Sequence, residues 1–155
     1  MQIRRIQKED RKQIILLLEQ VSRLHIERRP YIFKTKTYED FDKYALEIIS
    51  NKEKITFVAE QDNKILGIIV LKIKEVKNHV NLKDSKTLWV DELCVNKENR
   101  GEGIGKQLIN KAKEIAKELN CIRLELNCWE MNKEAIAFYE KQGMQTQRRI
   151  MELKL

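Results

Sequence analysis

Residues 87–108 read TLWVDELCVNKENRGEGIGKQL, and the succession of residue types in them decides the fold. Thr87 to Val95 is apolar and β-branched, the pattern of a strand. Three of the chain's five glycines, Gly101, Gly103 and Gly105, follow within one five-residue window. From Gly103 to Leu119 the apolar positions Ile104, Leu108, Ile109, Ala112, Ile115, Ala116 and Leu119 recur at steps of 4, 1, 3, 3, 1 and 3, an amphipathic helix. IRLELNC at 122–128 is a second strand. A strand, a long helix and a strand in this order predict a parallel pair joined by a right-handed crossover.

Outward from this unit the chain stays an α/β mixture. Toward the N-terminus, QIRRI at 2–6 reads as a short strand and residues 8–24 as a helix through Ile14, Ile15, Leu17, Leu18, Val21 and Leu24. HIERRPYIFKTKT breaks that helix, with Pro30 as punctuation. Helical spacing returns over 38–50 through Phe41, Tyr44, Ala45, Leu46, Ile48 and Ile49. ITFVAEQ (55–61) and ILGIIVLKIKEV (65–76) are strands joined by a turn at Asp62-Asn63-Lys64. Toward the C-terminus, Asn132 caps a helix that runs to about Lys141, Gly143 stops it, and MQTQRRIMELKL reads as one or two more strands.

The 155 residues suit a single domain, 1–155, with a core large enough to need no staples. With 42% hydrophobic and 35% charged residues and one proline, the chain is neither disordered nor a turn-rich sandwich. Thirty-one basic against 24 acidic residues give +7, but Lys and Arg alternate with Glu and form no long basic block. Nucleic acid is therefore not an expected partner: aromatics are only 6%, too few to interleave with basic residues on a stacking face. Cys94, Cys121 and Cys128 form no CxxC pair, and His25 and His79 are the only histidines, so no metal site is expected. The first residues, MQIRRIQKEDRKQ, lack the apolar run of a signal peptide, and the longest apolar run, IILLL at 14–18, cannot span a bilayer. A cytoplasmic compartment with reduced thiols and no membrane partner is the expectation.

The glycine window carries the chemistry. Glycines between a strand and a helix let main-chain N–H groups approach a ligand, and a helix N-terminus adds partial positive charge. Arg100 and Lys106 flank the window, so the natural guest is a phosphate or pyrophosphate. The pattern GxxxxGK[ST] fails, because the glycine spacing is one residue short and Gln107 replaces the Ser/Thr. GxGxxG fails too, since the spacing is GxGxG.

Arg100-Gly101-Glu102-Gly103-Ile104-Gly105 instead resembles the R/Q-x-x-G-x-G/A signature of the GNAT acyltransferase superfamily. Asn132, followed by Phe138-Tyr139-Glu140-Lys141-Gln142-Gly143-Met144, resembles the family's N…FYxxxGF ending, with Met144 for the usual Phe. The resemblance covers nearly the whole chain. It implies a mixed sheet of six to seven strands, flanked by about four helices and splayed centrally between the strands at 87–95 and 122–128. It implies acetyl-CoA as co-substrate, with the pantetheine arm along the main chain of Leu93, Cys94 and Val95. The pyrophosphate would sit on the amides of Arg100, Gly101, Glu102, Gly103, Ile104, Gly105 and Lys106, where a side chain at Gly103 or Gly105 would collide with it. Asn132, and also Asn127, would reach the cofactor.

By the same resemblance Tyr139 matches the position that protonates the departing thiolate. The base is open among Glu92, Asp91 and Glu125, preferred in that order. Asp91 and Glu92 are adjacent in a strand, so simple alternation lets at most one face the cleft, and a bulge expected there hides which. An acyl-cysteine route through Cys94 or Cys128 lacks a nearby histidine. Trp89 and Trp129 read as packing residues that could also wall an acceptor pocket, and His25 as a residue that orders its loop. Arg28 and Arg29, beside Tyr31 and Phe33, suit an acceptor with an amine at one end and an anion at the other. The activity implied is N-acetylation of a primary amine, on a small molecule or peptide, by direct attack in a ternary complex. The alternatives are a catalytically degenerate CoA-binding module or a basic nucleic-acid binder; a homodimer is compatible with either reading.

Overall fold

The structure, a computed structural model, describes residues 1–155. Strand β1 (Gln2–Arg5) leads through a 3₁₀ turn into α1 (Arg11–Arg28), and α2 (Tyr38–Ser50) follows. Strands β2 (Lys54–Gln61), β3 (Lys64–Val76) and β4 (Ser85–Val95) come next, then α3 (Ile104–Glu118), β5 (Arg123–Leu126) and α4 (Lys133–Lys141). The five strands form one sheet in the order β1-β2-β3-β4-β5. The first four pair antiparallel and β4 pairs parallel with β5, as the strand–helix–strand reading requires.

Local chemistry explains the boundaries. The β2–β3 hairpin turns on Asp62 and Asn63, both at positive φ (52° and 61°), a conformation these two side chains tolerate. Thr37 and Asp40 form a reciprocal capping box that starts α2. The Asn132 side chain accepts the Ala135 N–H and starts α4, and Gly143, at φ +87°, ends it.

The sheet carries a hydrophobic layer on each face. On one side α3 buries Ile104, Leu108, Ile109 and Ala112 against Ile69, Leu71, Leu88 and Val90. On the other, α1 and α2 bury Ile14, Leu17, Ala45 and Ile48 against Val58, Ile68, Val70 and Cys94.

The sheet has five strands, fewer than the six to seven expected. Residues 144–155 have no strand pairing, and Ile150, Met151, Leu153 and Leu155 are exposed. Their alternation with polar residues has no buried face to satisfy. Polar contacts hold the tail instead, from Glu152 to Arg29 and from Gln147 to Glu125. No helix is long and apolar enough to cross a membrane.

Candidate active site

Strand β5 covers only half of β4. Pairing runs from Thr87–Arg123 to Val90–Leu126 and stops there. Glu92 to Val95 stays paired to β3 on one side only, so the main chain of Leu93, Cys94 and Val95 borders the opening where β4 and β5 part. The central splay expected from the sequence is present at this place.

A β-bulge lies at the mouth of the opening. Val70 of β3 pairs with Glu92 and its neighbour Leu71 with Val90, which leaves Asp91 as the extra residue. The bulge corrects the expectation that only one of the two acids could face the site, because both carboxylates turn to the α2 side. Glu92 accepts a hydrogen bond from the Tyr44 hydroxyl of α2 at 2.9 Å. Asp91 accepts from Lys72 at 2.6 Å and lies 3.5 Å from Lys54, which also bonds Glu47 of α2 at 2.8 Å.

The two carboxylates are thereby made different. Burial pushes the Glu92 carboxyl above its usual range and the negative charge of Asp91 adds to this, while the Tyr44 bond and the more distant Lys36 and Lys54 partly oppose it. Burial acts in the same direction on Asp91, but the hydrogen bond and charge of Lys72, with Lys54 behind it, outweigh burial and hold that carboxyl low. Glu125, on β5 opposite Trp89, has its carboxylate engaged by Arg123 and by Gln147, the latter at 2.9 Å.

Tyr139 enters from α4. Its ring packs on the α3-side core and meets Phe138 edge-on at 5.2 Å. Burial raises the phenol well above its ordinary value, and neighbouring Cys128, Glu92 and Cys94 reinforce the shift. Leu93 and Val95 of β4 and Leu126 at the end of β5 pack on the same cluster, so Tyr139 shares it with the residues that border the opening.

At the far end of β4 the glycine loop rises into α3. Gly101 and Gly103 have φ of +87° and +81°, and a Cβ built on either meets nothing within 4 Å. Main-chain carbonyls in the loops and caps take no bond from the N–H groups of residues 101–106. Those amides, with exposed Arg100 and Lys106 beside them, form an open donor cradle at a helix N-terminus. Gly105 is different and corrects the expectation placed on it. Its Cβ would meet Phe138 Cζ at 3.1 Å and Val95 Cγ2 at 3.7 Å, so it keeps α3 and α4 in close contact and does not face the cradle. Asn132 spends its side-chain oxygen on the α4 cap and keeps its amide donors, and Asn127 lies exposed just after β5.

The remaining candidates fall into place around this centre. Cys94 is buried, its thiol pushed up to about 12 by desolvation and donating to the Leu17 carbonyl at 3.4 Å, which does not suit a nucleophile. The His25 ring stacks on Phe33 at 4.9 Å, and Phe33 meets Trp129 edge-on at 5.4 Å, so His25 orders its loop as expected. Trp89 is buried with Lys74 over its ring. Arg28 donates to the Met131 carbonyl at 2.9 Å, and Arg29 is held by Glu152 between the rings of Tyr31 and Trp129. Both arginines thus have partners within the chain.

The sequence reading missed Tyr44, Lys54 and Lys72. Tyr44 was legible only as part of the apolar stripe of α2. The signal it did carry is chemical: a tyrosine on a buried stripe needs a partner for its hydroxyl.

Comparisons with known proteins bear on the family and the fold. The family described as Acetyltransferase (GNAT) family matches residues 18–144. An uncharacterized N-acetyltransferase of Methanocaldococcus jannaschii is 31% identical over 121 residues, covering 71% of this chain and 52% of that protein. The thialysine N-epsilon-acetyltransferase of Bos taurus is 33% identical over 60 residues, 39% of this chain and 35% of that enzyme. The chain thus spans about half the length of the first relative and about a third of the second. Among solved structures, a tetramutant of the BH1408 protein of Bacillus halodurans superposes with a TM-score of 0.94 at 25% identity, over the full length of both chains. Aminoglycoside N-acetyltransferase AAC(6')-Iy in complex with CoA superposes with a TM-score of 0.78 at 16% identity, over 99% of this chain and 93% of that one, a likeness of fold. With the family match running from α1 through the glycine loop to the end of α4, this chain belongs to the acetyltransferase (GNAT) family.

Proposed function

We propose that this chain transfers the acetyl group of acetyl-CoA to a primary amine by direct attack within a ternary complex. The observation that carries the reading is the joining of three features at one opening: a donor cradle at 101–106, an unpaired strand edge at Leu93–Val95, and Glu92 and Tyr139 beside it. The Arg100 N–H, expected in the cradle, is bonded to the Lys97 carbonyl. The cradle fits a pyrophosphate, because its amides are free, its glycines leave room, and Arg100 and Lys106 supply full charges. The edge at Leu93–Val95 fits an amide-bearing arm that lies along it as a strand would. Asn132, through its amide donors, and Asn127 are the further contacts.

Acetyl-CoA supplies a thioester carbon and a thiolate leaving group. The chain's part is positioning and proton movement. Glu92, half-buried and with its carboxyl raised above the usual range, takes the proton of the incoming ammonium so that the free amine can attack. Asp91, held ionised by Lys72 and Lys54, supplies fixed negative charge beside it. Tyr139 keeps its proton through the neutral range, gives it to the departing sulfur, and is reprotonated by the second proton that the nitrogen sheds as the amide forms. Burial raises the basicity of a thiolate in the same pocket as well, so donor and acceptor stay matched. An exposed N–H on the unpaired edge of β4 meets the negative charge that develops on the carbonyl oxygen.

The acceptor is a primary amine. Its discrimination comes from an amine panel of thialysine, putrescine, an aminoglycoside and a peptide α-amine, each incubated with acetyl-CoA while free thiol is followed. Thiol release with at least one amine, and its loss in Glu92→Gln, is the expected result. CoA binding without turnover across the panel would identify a CoA-binding module instead.

A further inference from the structure

We propose that Tyr44 is a positioning residue for the base: by donating its hydroxyl proton to one oxygen of Glu92 it fixes the carboxylate and sets the pH at which that carboxylate can accept a proton. This rests on the reading of Glu92 as the base. Tyr44 is held where it stands by more than the Glu92 bond. Its ring sits on the buried face of α2 beside Phe41 and Ala45, and Lys54 Nζ lies 5.1 Å from the ring centroid. That same Lys54 is bonded to Glu47 of α2 at 2.8 Å and lies 3.5 Å from Asp91. The chain Asp91–Lys54–Tyr44–Glu92 therefore ties the two acids of the bulge to α2 from both sides.

The arrangement has a chemical consequence. The bond engages Oε1 of Glu92 at 2.9 Å, and no other protein donor reaches that side chain, so Oε2 keeps its lone pairs for substrate. The charged and titratable groups around Glu92 are Tyr44 from α2, Lys36 from the loop before it, Lys54 from β2, Asp91 and Cys94 from β4, and Tyr139 from α4. Burial and Asp91 raise the carboxyl, and of the groups that lower it Tyr44 alone touches it. A donor bonded to the ionised form favours that form, so removing the hydroxyl raises the Glu92 midpoint further. The acid side of the activity profile moves to higher pH with it.

The test is Tyr44→Phe, read in two ways. The first is titration of the glutamate side-chain carboxyls by carbon-13 NMR, with Glu92→Gln identifying the resonance. The second is the pH profile of kcat/KM with whichever amine of the panel is turned over fastest. The expected result is a rise of about one pH unit in both the Glu92 midpoint and the acid limb, with activity recovered at high pH. An unmoved midpoint, or a uniform loss of activity at every pH, overturns the proposal. If Tyr44→Phe does not fold by circular dichroism, uniform replacement of tyrosine by 3-fluorotyrosine serves instead. The stronger phenol donor must lower the Glu92 midpoint, and no change overturns the proposal. The base reading fails separately: Glu92→Gln would then keep the wild-type acid limb, whatever Tyr44→Phe does to the carboxyl.

Discussion

At Tyr139 and Gly103 the residue-level arguments can be tested singly. Tyr139→Phe removes one hydroxyl and none of the ring packing on Phe138 and the core. If that hydroxyl protonates the leaving thiolate, kcat falls by about 10²–10⁴-fold, as general-acid losses do, with the KM for acetyl-CoA nearly unchanged. Steady-state kinetics against acetyl-CoA separates the two, and an unaltered kcat would assign the proton to water. Gly103 stands at φ +81°, and a Cβ built there meets nothing within 4 Å. Gly103→Val strains the backbone by roughly 1–3 kcal/mol and puts a side chain at the mouth of the cradle. Calorimetry should show a folded chain with at least tenfold weaker CoA binding.

Between elements, two contacts make contrasting predictions. Gly105 lies in the first turn of α3 against Phe138 of α4, where a Cβ would come within 3.1 Å of the ring. Gly105→Val therefore overpacks a helix–helix contact, and urea unfolding should show a loss of about 1–3 kcal/mol at unchanged m-value. Because α4 also carries Tyr139, kcat falls along with stability. The second contact joins β1 to the start of α1. Arg4 donates to both oxygens of Asp10 at 2.8 Å, and the Gln7 N–H adds a third bond at 2.8 Å. Asp10 is only 4% exposed; burial alone would raise its carboxyl, but the Arg4 bonds and the Gln7 amide outweigh it and hold it below 3.8. A depressed carboxyl contributes stability that is full above its unfolded pKa and is lost as pH falls through the lower folded value. Asp10→Asn should cost about 3 kcal/mol at neutral pH and flatten the decline in stability below about pH 4. An unchanged slope of stability against pH in this variant would contradict the assignment.

For the molecule as a whole, ligand binding and folding are linked. The donor cradle exists only when β4, the loop and α3 are folded together, so the acetyl-CoA proposed above would bind the native chain and not the unfolded one. At 100 times Kd that stabilises the fold by about 2.7 kcal/mol, roughly 5–10 °C in Tm for a domain of this size. A thermal melt with and without CoA measures it. The shift should shrink in high salt, because a phosphate ligand on a +7 chain gains part of its affinity from screened charge. It should shrink further in Gly103→Val, whatever that variant's own Tm.

The sequence by itself determined the local elements and the place of the glycine window between a strand and a helix. Helical and strand periods, Asn132 as a cap, the Asp62-Asn63 turn and the glycine window are all set by neighbours within a few residues, and they stand within a few residues of where they were read; the first helix, read over 8–24, starts at Arg11 and runs on through His25 to Arg28. Tertiary structure decided what depends on partners far along the chain. The tail 144–155 alternates like a strand but finds no buried face, so it stays unpaired. Gly105 looked like its neighbours in the loop until α4 was packed over it. The facing of Asp91 and Glu92 was hidden because a bulge is a mismatch in register between two strands, and neither strand alone contains it. The different ionisation of those two acids comes from the burial of Glu92 and from Lys72 and Lys54 at Asp91, and these groups, like Tyr44 on Glu92, meet the acids only when β2, β3 and α2 close around the bulge.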